Sequence, residues 1–233
     1  MTGPPATVRF RTPRGQAHVR FTTRADGDLN ADVVPPPVLA ARWRAVADRP
    51  VVWLDEEHGT NVVVVDGEEP GRVARGDALV TVEADRALGI WVGDCAPVAL
   101  VADEGVVAAV HAGWRGLAAG VLGETIAAMR ALGATHIDAV VGPCIHAECY
   151  EFGSADLFAL ASRFGASISA TTSWGTPALD LPAAVRAALA AEDVTVIDVA
   201  TPCTACDDRF WSHRGRGDRQ RHGMAVWLEA SAA

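Results

Sequence analysis

One cysteine and one histidine lie on either side of a turn in an otherwise apolar stretch of the sequence. The stretch is VGDCAPVALVADEGVVAAVHAGWRG, residues 92–116, with Cys95 near its start and His111 near its end. If ADEG turns a hairpin centred near Asp103, Cys95 and His111 each lie eight residues from that centre. They would then be cross-strand neighbours or nearly so, with Cβ atoms about 4.5–5.5 Å apart. This separation suits two ligands of one metal ion.

A zinc ion needs at least one more protein ligand. Zinc binds thiolate sulfur and imidazole nitrogen at about 2.0–2.3 Å, so its ligands must come from neighbouring positions on a rigid scaffold. The best third ligand is His58, in EEHGT between two strand-like runs. Three protein ligands leave a fourth position open, as in catalytic zinc sites. Spacing alone leaves another interpretation open, because a lone cysteine in an apolar strand is usually just a small buried side chain.

The letters after His111, GWRG, predict a passage from strand to helix. The free N–H groups of a first helical turn and Arg115 would together form an anion site there. A tight turn with tryptophan for packing explains the same letters equally well. All 20 basic residues are arginine, which excludes a Schiff-base lysine and a Walker A phosphate loop. Any phosphate must therefore be held by arginine, backbone N–H groups or a metal.

The whole sequence sets the class of protein. Half of its 233 residues are apolar, which predicts one large domain, with residues 1–17 as a loosely ordered N-terminus. We expect a cytoplasmic protein with reduced thiols, because there is no signal-like or membrane-spanning apolar run and the five cysteines are irregularly spaced. The net charge of −9 argues against nucleic-acid and anionic-membrane partners. The oligomeric state stays open.

Short β-branched runs bounded by turn residues predict a sheet-rich centre. Helices and strands mix without strict alternation, and no G-x-G-x-x-G follows a strand, so we predict an α/β sandwich in layers with a mixed sheet and not a Rossmann fold. The predicted strands cover 18–24, 51–54, 61–66, 77–85, 88–92, 97–103, 105–111, 136–142, 194–199, 209–214 and 222–230, and the predicted helices cover 35–50, 113–132, 154–164 and 180–193.

A series of short motifs, read in chain order, resembles the YfiH family. Its members were long labelled laccase-domain or multicopper polyphenol oxidase proteins and are now regarded as purine nucleoside phosphorylases. The resemblance runs from about residue 20 to the C-terminus, and HAGWRG after an upstream DC is its most specific part. The motifs are FTTR (21–24), HGTNVVVVD (58–66), GDALVT (76–81), GDCAPVALV (93–101), VHAGWRG (110–116), VGPCI (141–145), CYEFG (149–153) and CT…FWSHR (203–214).

This resemblance implies a single-domain α/β/β/α sandwich with zinc held by His58, Cys95 and His111. It implies phosphorolysis of adenosine, inosine, guanosine and methylthioadenosine, with accompanying adenosine deaminase activity. Arg24 would bind phosphate or substrate, and Arg214 matches a family position. Copper fits poorly, because the sequence lacks the His-x-His pairs of copper oxidases. EEHG, GDCAP and RHGM depart from the family's QVHG, ADCLP and TGR, so the metal triad is kept while substrate-contact positions differ.

Two other functions use the same residues. In a Cys-His hydrolase or amidase acting on a peptidoglycan precursor or another amide, Cys95 would be the nucleophile and His111 its base. In a non-catalytic binding protein, the metal would be structural. If the protein is a phosphorylase, Asp94 and Asp77 are both candidates for the general acid that protonates the leaving purine.

The remaining cysteines are read as lying outside the site. Cys203 and Cys206 form a C-x-x-C pair, typical of a redox pair or half of a zinc knuckle, but no second C-x-x-C accompanies it. Cys144 and Cys149 flank His146 in what we predict to be a loop near the pocket. Tyr150 is expected either to line the pocket or to pack.

Overall fold

The computed structural model describes residues 7–13, 15–67 and 69–230. Its strands are β1 (Val8–Thr12), β2 (Gly15–Phe21), β3 (Val51–Asp55), β4 (Val62–Val64), β5 (Gly71–Arg75), β6 (Ala78–Thr81), β7 (Ala87–Val92), β8 (Ala96–Ala102), β9 (Val107–Ala112), β10 (Ile137–Val141), β11 (Ser169–Thr171), β12 (Pro177–Leu179), β13 (Thr195–Val196) and β14 (His222–Ala230). Its α-helices are α1 (Pro36–Ala47), α2 (Trp114–Ala119), α3 (Val121–Ala131), α4 (Ser154–Phe164), α5 (Leu181–Ala190) and α6 (His213–Arg216).

Two six-stranded sheets form the middle of the molecule. The first has the order β1-β2-β14-β7-β3-β5, and the second has the order β13-β10-β8-β9-β6-β4. Both are mixed: β3 runs parallel to β5 and β7, and β4 runs parallel to β6, whereas the β8–β9 pair is antiparallel. The predicted sandwich with mixed sheets is therefore confirmed, and the order is not that of a Rossmann fold.

The apolar side chains form three cores that hold four layers together. One core lies between the sheets and includes Leu54, Leu88 and Val107. A second joins the outer face of the second sheet to α3, α4 and α5, and a third lies under α1 around Trp43. All seven residues of β8 are buried, because this strand is covered by the first sheet on one face and by helices on the other. Such strands lack polar alternation and read as continuous apolar runs.

Three expectations about the elements are wrong. The helix predicted over 113–132 is two helices, because Gly120 adopts a left-handed conformation with φ +109° between them. The strand predicted over 209–214 is absent: Ser212 accepts a hydrogen bond from the Gly215 N–H and caps α6. Residues 1–17 are not loosely ordered throughout, since 8–12 and 15–17 lie in paired strands; residues 1–6 and 14 are outside the described residues.

None of the helices in the described part of the chain combines the length and the apolar character that crossing a membrane requires.

Candidate active site

The structure brings His58, Cys95 and His111 together at one end of the sandwich. One donor atom from each lies within 4.8 Å of the other two. The Cys95 Sγ and His58 Nε2 atoms are 3.6 Å apart, and the two imidazole rings meet edge to face with centroids 4.7 Å apart. Three soft or borderline donors at this spacing can converge on one zinc ion after small side-chain adjustments.

The hairpin that carries two of these residues has a different register from the expected one. Pro97, and not Cys95, lies opposite His111. The Ala102 N–H donates to the Val106 carbonyl oxygen, so the turn extends to Val106. The centre of the hairpin therefore lies one residue later in the chain than expected. Cys95 lies two residues before Pro97, so it is a diagonal neighbour of His111 on the same face of the sheet. The face is preserved because side chains alternate with a period of two.

Close packing at the ligands explains two glycines of HAGWRG. A Cβ atom on Gly113 would lie 2.6 Å from His58 Cδ2 and 3.1 Å from Cys95 Sγ. A Cβ atom on Gly116 would lie 2.8 Å from the carbonyl oxygen of Gly59. The strand-to-helix turn therefore approaches the ligands more closely than a side chain allows, which is a common reason for glycine.

Asp77, which is fully buried, fixes the orientation of two ligands. Its Oδ1 accepts hydrogen bonds from His111 Nδ1 at 2.7 Å and from the His58 N–H at 2.9 Å, and its Oδ2 accepts from the Gly59 N–H at 2.6 Å. Burial acts to raise the pKa of Asp77, but these hydrogen bonds outweigh it and keep the pKa below its ordinary value. A carboxylate on Nδ1 leaves Nε2 of His111 for a metal, the usual outer-shell arrangement of a metal-binding histidine.

The same bonds hold the turn that contains His58. This residue has φ +61°, an uncommon conformation for a residue other than glycine. The two backbone N–H groups bonded to Asp77 belong to His58 and Gly59, so the carboxylate stabilises that conformation directly.

Glu56 is a buried site residue that the sequence analysis missed. Its side chain is 4% exposed, and its Oε2 lies 3.7 Å from His111 Nδ1. Trp91 N–H donates to its Oε1 at 2.9 Å. Burial raises the pKa of Glu56 to about 8, although the charge of His111 opposes the shift. Glu56 precedes His58 by two residues, but its contact is with His111, which the sequence does not show.

The charge state of Cys95 favours metal binding. Burial acts to raise the pKa of this thiol, but His111 and His58 outweigh it and lower the pKa to about 6. Burial likewise opposes the charge of His111, yet Glu56, Cys95 and Asp77 hold its pKa well above the ordinary value. A thiolate beside two imidazoles is a donor set that zinc binds well, so the residues present fit this metal.

The three side chains open onto a cavity of about 510 Å³ that is lined partly by arginines. Arg115 stacks on Trp114, with its guanidinium carbon 4.4 Å from the ring centroid. Arg214 stacks on Tyr150 at 5.0 Å, and its Nη1 donates to the Glu151 carbonyl oxygen at 2.8 Å. Sequence reasoning missed a third arginine of the lining, Arg221, which stands in a run of arginines with no periodic signal.

Arg24, expected to bind phosphate or substrate, is engaged elsewhere. Its Nε donates to the Phe210 carbonyl oxygen at 2.9 Å, and its Nη2 lies 2.9 Å from Asp218 Oδ2. It is not among the residues that line the cavity. Arg24 therefore holds the segment before β14 in place.

The two aspartates considered as general acids have structural partners. Asp94 lines the cavity and burial raises its pKa, yet its Oδ1 accepts from Thr204 Oγ1 at 2.6 Å and its Oδ2 accepts from the Arg214 N–H at 2.6 Å. Asp77 lies behind His111 and does not line the cavity. Asp94 is a positioning residue for Arg214.

The comparisons with known proteins agree with this architecture. Residues 22–229 match the family described as multi-copper polyphenol oxidoreductase laccase. The chain is 37% identical over 246 residues to purine nucleoside phosphorylase ORF3 of Streptomyces griseus, covering 95% of this chain and 99% of that protein. It is 40% identical over 214 residues to purine nucleoside phosphorylase SCO2081 of Streptomyces coelicolor, covering 88% and 86%.

Solved structures resemble the whole chain. The crystal structure of Neisseria meningitidis protein NMB0706 superposes with a TM-score of 0.81 at 28% identity, covering 98% of this chain and 100% of that one. Bacillus licheniformis YfiH superposes with a TM-score of 0.77 at 22% identity, covering 91% and 93%, and supports the fold alone.

Proposed function

Because this chain belongs to the YfiH family, also described as the multi-copper polyphenol oxidoreductase laccase family, we propose that it is a zinc-dependent purine nucleoside phosphorylase. One observation carries the proposal: the group of His58, Cys95 and His111 opens onto the same cavity as Arg115 and Arg214. Relatives that match nearly its full length are named purine nucleoside phosphorylases. The proposed substrates are adenosine, inosine, guanosine and methylthioadenosine, with phosphate as the second substrate.

Arginine provides the proposed phosphate site. Arg115 forms no ion pair with any of the described residues, so its charge is available to a ligand. Arg214 is held by Tyr150, by the Glu151 carbonyl and, through its own N–H, by Asp94. Guanidinium groups bind phosphate oxygens with paired hydrogen bonds, and a prearranged guanidinium loses less freedom on binding. The expected helix-start site is a weaker support, because α2 has only six residues.

Aromatic side chains provide the proposed purine site. Trp91, Trp114 and Tyr150 all line the cavity. Flat apolar rings bury the faces of a purine base, and the phosphate held by the arginines can then approach the ribose C1′ atom in a fixed orientation. In the reaction, the bond from C1′ to the base nitrogen breaks, a bond from C1′ to a phosphate oxygen forms, and the base takes up a proton.

Zinc, when bound, supplies a Lewis acid that polarises a substrate group or a water molecule. The accompanying adenosine deaminase activity is part of the proposal for that reason. Asp77 keeps His111 in the tautomer with Nε2 free. Gly113 has no side chain, so the backbone can pack directly against His58 and Cys95. Copper is not proposed, because the sequence lacks the His-x-His pairs of copper oxidases.

A phosphate-dependence assay tests the proposal. With adenosine or inosine, free base and ribose 1-phosphate should form in proportion to the phosphate supplied. Base release that is equally fast without phosphate, with plain ribose as product, would refute phosphorolysis. Ammonia release from adenosine, measured in parallel, tests the deaminase activity, and metal analysis after purification without chelator tests zinc.

A Cys-His hydrolase is the second candidate, and one observation favours it. Asp77 orients His111, and His111 lies beside a Cys95 thiol whose pKa is about 6, the order of orienting group, base and nucleophile in such enzymes. An alkylating reagent separates the two functions. Rapid labelling of Cys95 in the metal-loaded protein supports the hydrolase, whereas protection by stoichiometric zinc supports the phosphorylase. A binding protein with a structural metal would need a fourth ligand, and the described residues supply three here.

A further inference from the structure

A second group of metal-binding side chains lies apart from the three ligands described above. Glu148, Cys149, Cys203 and Cys206 each place a donor atom within 4.8 Å of the other three. Cys149 Sγ and Cys206 Sγ are 3.3 Å apart, and Cys206 Sγ is 3.7 Å from Glu148 Oε1. The sequence contains no second C-x-x-C pair, but the fold supplies the missing donors from the segment after β10.

Cys203, the buried member of the group, accepts a hydrogen bond from a backbone N–H group. The His146 N–H donates to Cys203 Sγ at 3.4 Å. Burial nevertheless raises the pKa of the Cys203 thiol. The turn is fixed by bonds from the Cys206 and Asp207 N–H groups to the Cys203 carbonyl oxygen. An N–H group that donates to a sulfur favours the thiolate, and a bound metal would keep that sulfur deprotonated.

We propose that Glu148, Cys149, Cys203 and Cys206 form a second zinc site, structural in character. Three sulfurs and one carboxylate oxygen supply four donors, the number that a closed tetrahedral zinc site requires. Zinc binding converts three thiols to thiolates and releases three protons, so the cation also removes the repulsion that three thiolates and a carboxylate would otherwise feel. This proposal does not depend on the phosphorylase assignment.

A disulfide accounts for less of the arrangement. A bond between Cys149 and Cys206 would use two of the four groups and leave Cys203 and Glu148 beside it without a role. All three cysteines are free thiols here. The sulfur that accepts the His146 N–H is Cys203 Sγ, which such a disulfide would leave out.

The second site would join two segments that line the cavity. Glu148 and Cys149 are followed directly by Tyr150 and Glu151, which contact Arg214. Cys203 and Cys206 precede α6, which carries Arg214 itself. A metal that joins these two segments fixes both sides of the Arg214 contact. The first site would take part in the reaction, whereas the second would stabilise the part of the cavity that contains Arg214.

Metal counting on purified variants tests the proposal. Protein purified without chelator should hold about two zinc ions per chain, one for each site. The substitution Cys206→Ser should remove about one of them, while Cys144→Ser should remove none, because Cys144 is a thiol outside the group. His58→Ala should remove the other zinc. If the first site bound no metal, wild type and His58→Ala would both hold one ion that Cys206→Ser still removed, so the two proposals fail separately.

Cobalt substitution gives a readout that needs no activity. In His58→Ala, Co²⁺ should give a strong thiolate-to-cobalt absorption band, and adding Cys149→Ser should weaken it by about one third, since one of three Co–S bonds is lost. Three results would overturn the proposal: no cobalt–thiolate band in His58→Ala, unchanged zinc in Cys206→Ser, or an intact mass lacking two hydrogens together with a linked peptide that joins Cys149 to Cys206.

Discussion

Replacing Asp77 by asparagine tests whether this carboxylate positions the metal ligands His58 and His111. The carboxylate accepts three hydrogen bonds, from His111 Nδ1 and from the N–H groups of His58 and Gly59. In Asp77→Asn, the remaining oxygen can keep the two bonds made by Oδ1. The new amide NH₂ then faces the Gly59 N–H, so one donor meets another. Alanine would lose all three bonds and is the poorer probe, because it risks unfolding the chain.

The expected cost follows from that single mismatch. A hydrogen bond to a charged group contributes about 1.5–3 kcal/mol, so we expect the free energy of unfolding to fall by about 2–3 kcal/mol. For a chain of this size, that lowers Tm by about 4–12 °C. Loss of an outer-shell carboxylate typically weakens metal binding 10- to 100-fold, so zinc affinity should fall by about that factor.

The assay is a zinc competition against a chelator of known affinity, combined with thermal unfolding of the metal-free protein. Asp180→Asn is the matched control, because Asp180 caps α5 through the Ala183 N–H and asparagine caps helices equally well. This control should keep both zinc affinity and Tm. If Asp77→Asn bound zinc as tightly as wild type and melted at the same temperature, the role assigned to Asp77 would be wrong.

Three other predictions concern the ligands, the phosphate and acid stability. His58→Ala and His111→Ala should each lose one zinc ion and all activity while keeping the wild-type circular dichroism spectrum; full zinc in either variant removes that residue from the ligand set. Arg115→Ala should raise the KM for phosphate at least about tenfold, as loss of a charge-assisted contact does, whereas Arg130→Ala, on the surface beside Glu192, should not change it. Burial lowers the pKa of His222 to about 3, so its contribution to stability is complete above pH 6.5 and is lost as the pH falls towards 3. Wild type should therefore lose up to about 4–5 kcal/mol more than His222→Gln over that range in denaturant titrations at stepped pH; equal slopes would show that His222 is not buried in the neutral form.

The sequence predicts elements well where local pattern decides. Helix α4 over Ser154–Phe164 and strand β14 over His222–Ala230 have the predicted bounds, because apolar spacing marks both, and glycines also flank the helix. Strand β5 over Gly71–Arg75 was missed, since it is half-polar and is held by pairing with β3. The segment 209–214 has strand-like letters but turns, because Ser212 caps α6.

The site shows a similar division. The hairpin expected around Asp103 makes Cys95 and His111 cross-strand neighbours, and the observed register differs by two positions, which leaves both residues on the same face. Glu56 and Asp77 support the ligands from neighbouring segments, and no single stretch of sequence shows that contact. The second group of metal-binding side chains could not be predicted either, because residues 148–149 and 203–206 meet only in the folded chain.

The place of β14 in the first sheet constrains how the protein reaches its native state. This strand lies between β2 and β7, so β2 pairs with a segment about 200 residues later in the chain. Contacts so distant in sequence form slowly. Until residues 222–230 are available, β2 and β7 each have an unpaired edge, and open edges recruit strands of other molecules. Premature release of the chain before this strand should therefore yield aggregates and not a smaller folded unit, and rapid capture of the two edges by β14 is the step on which soluble yield depends.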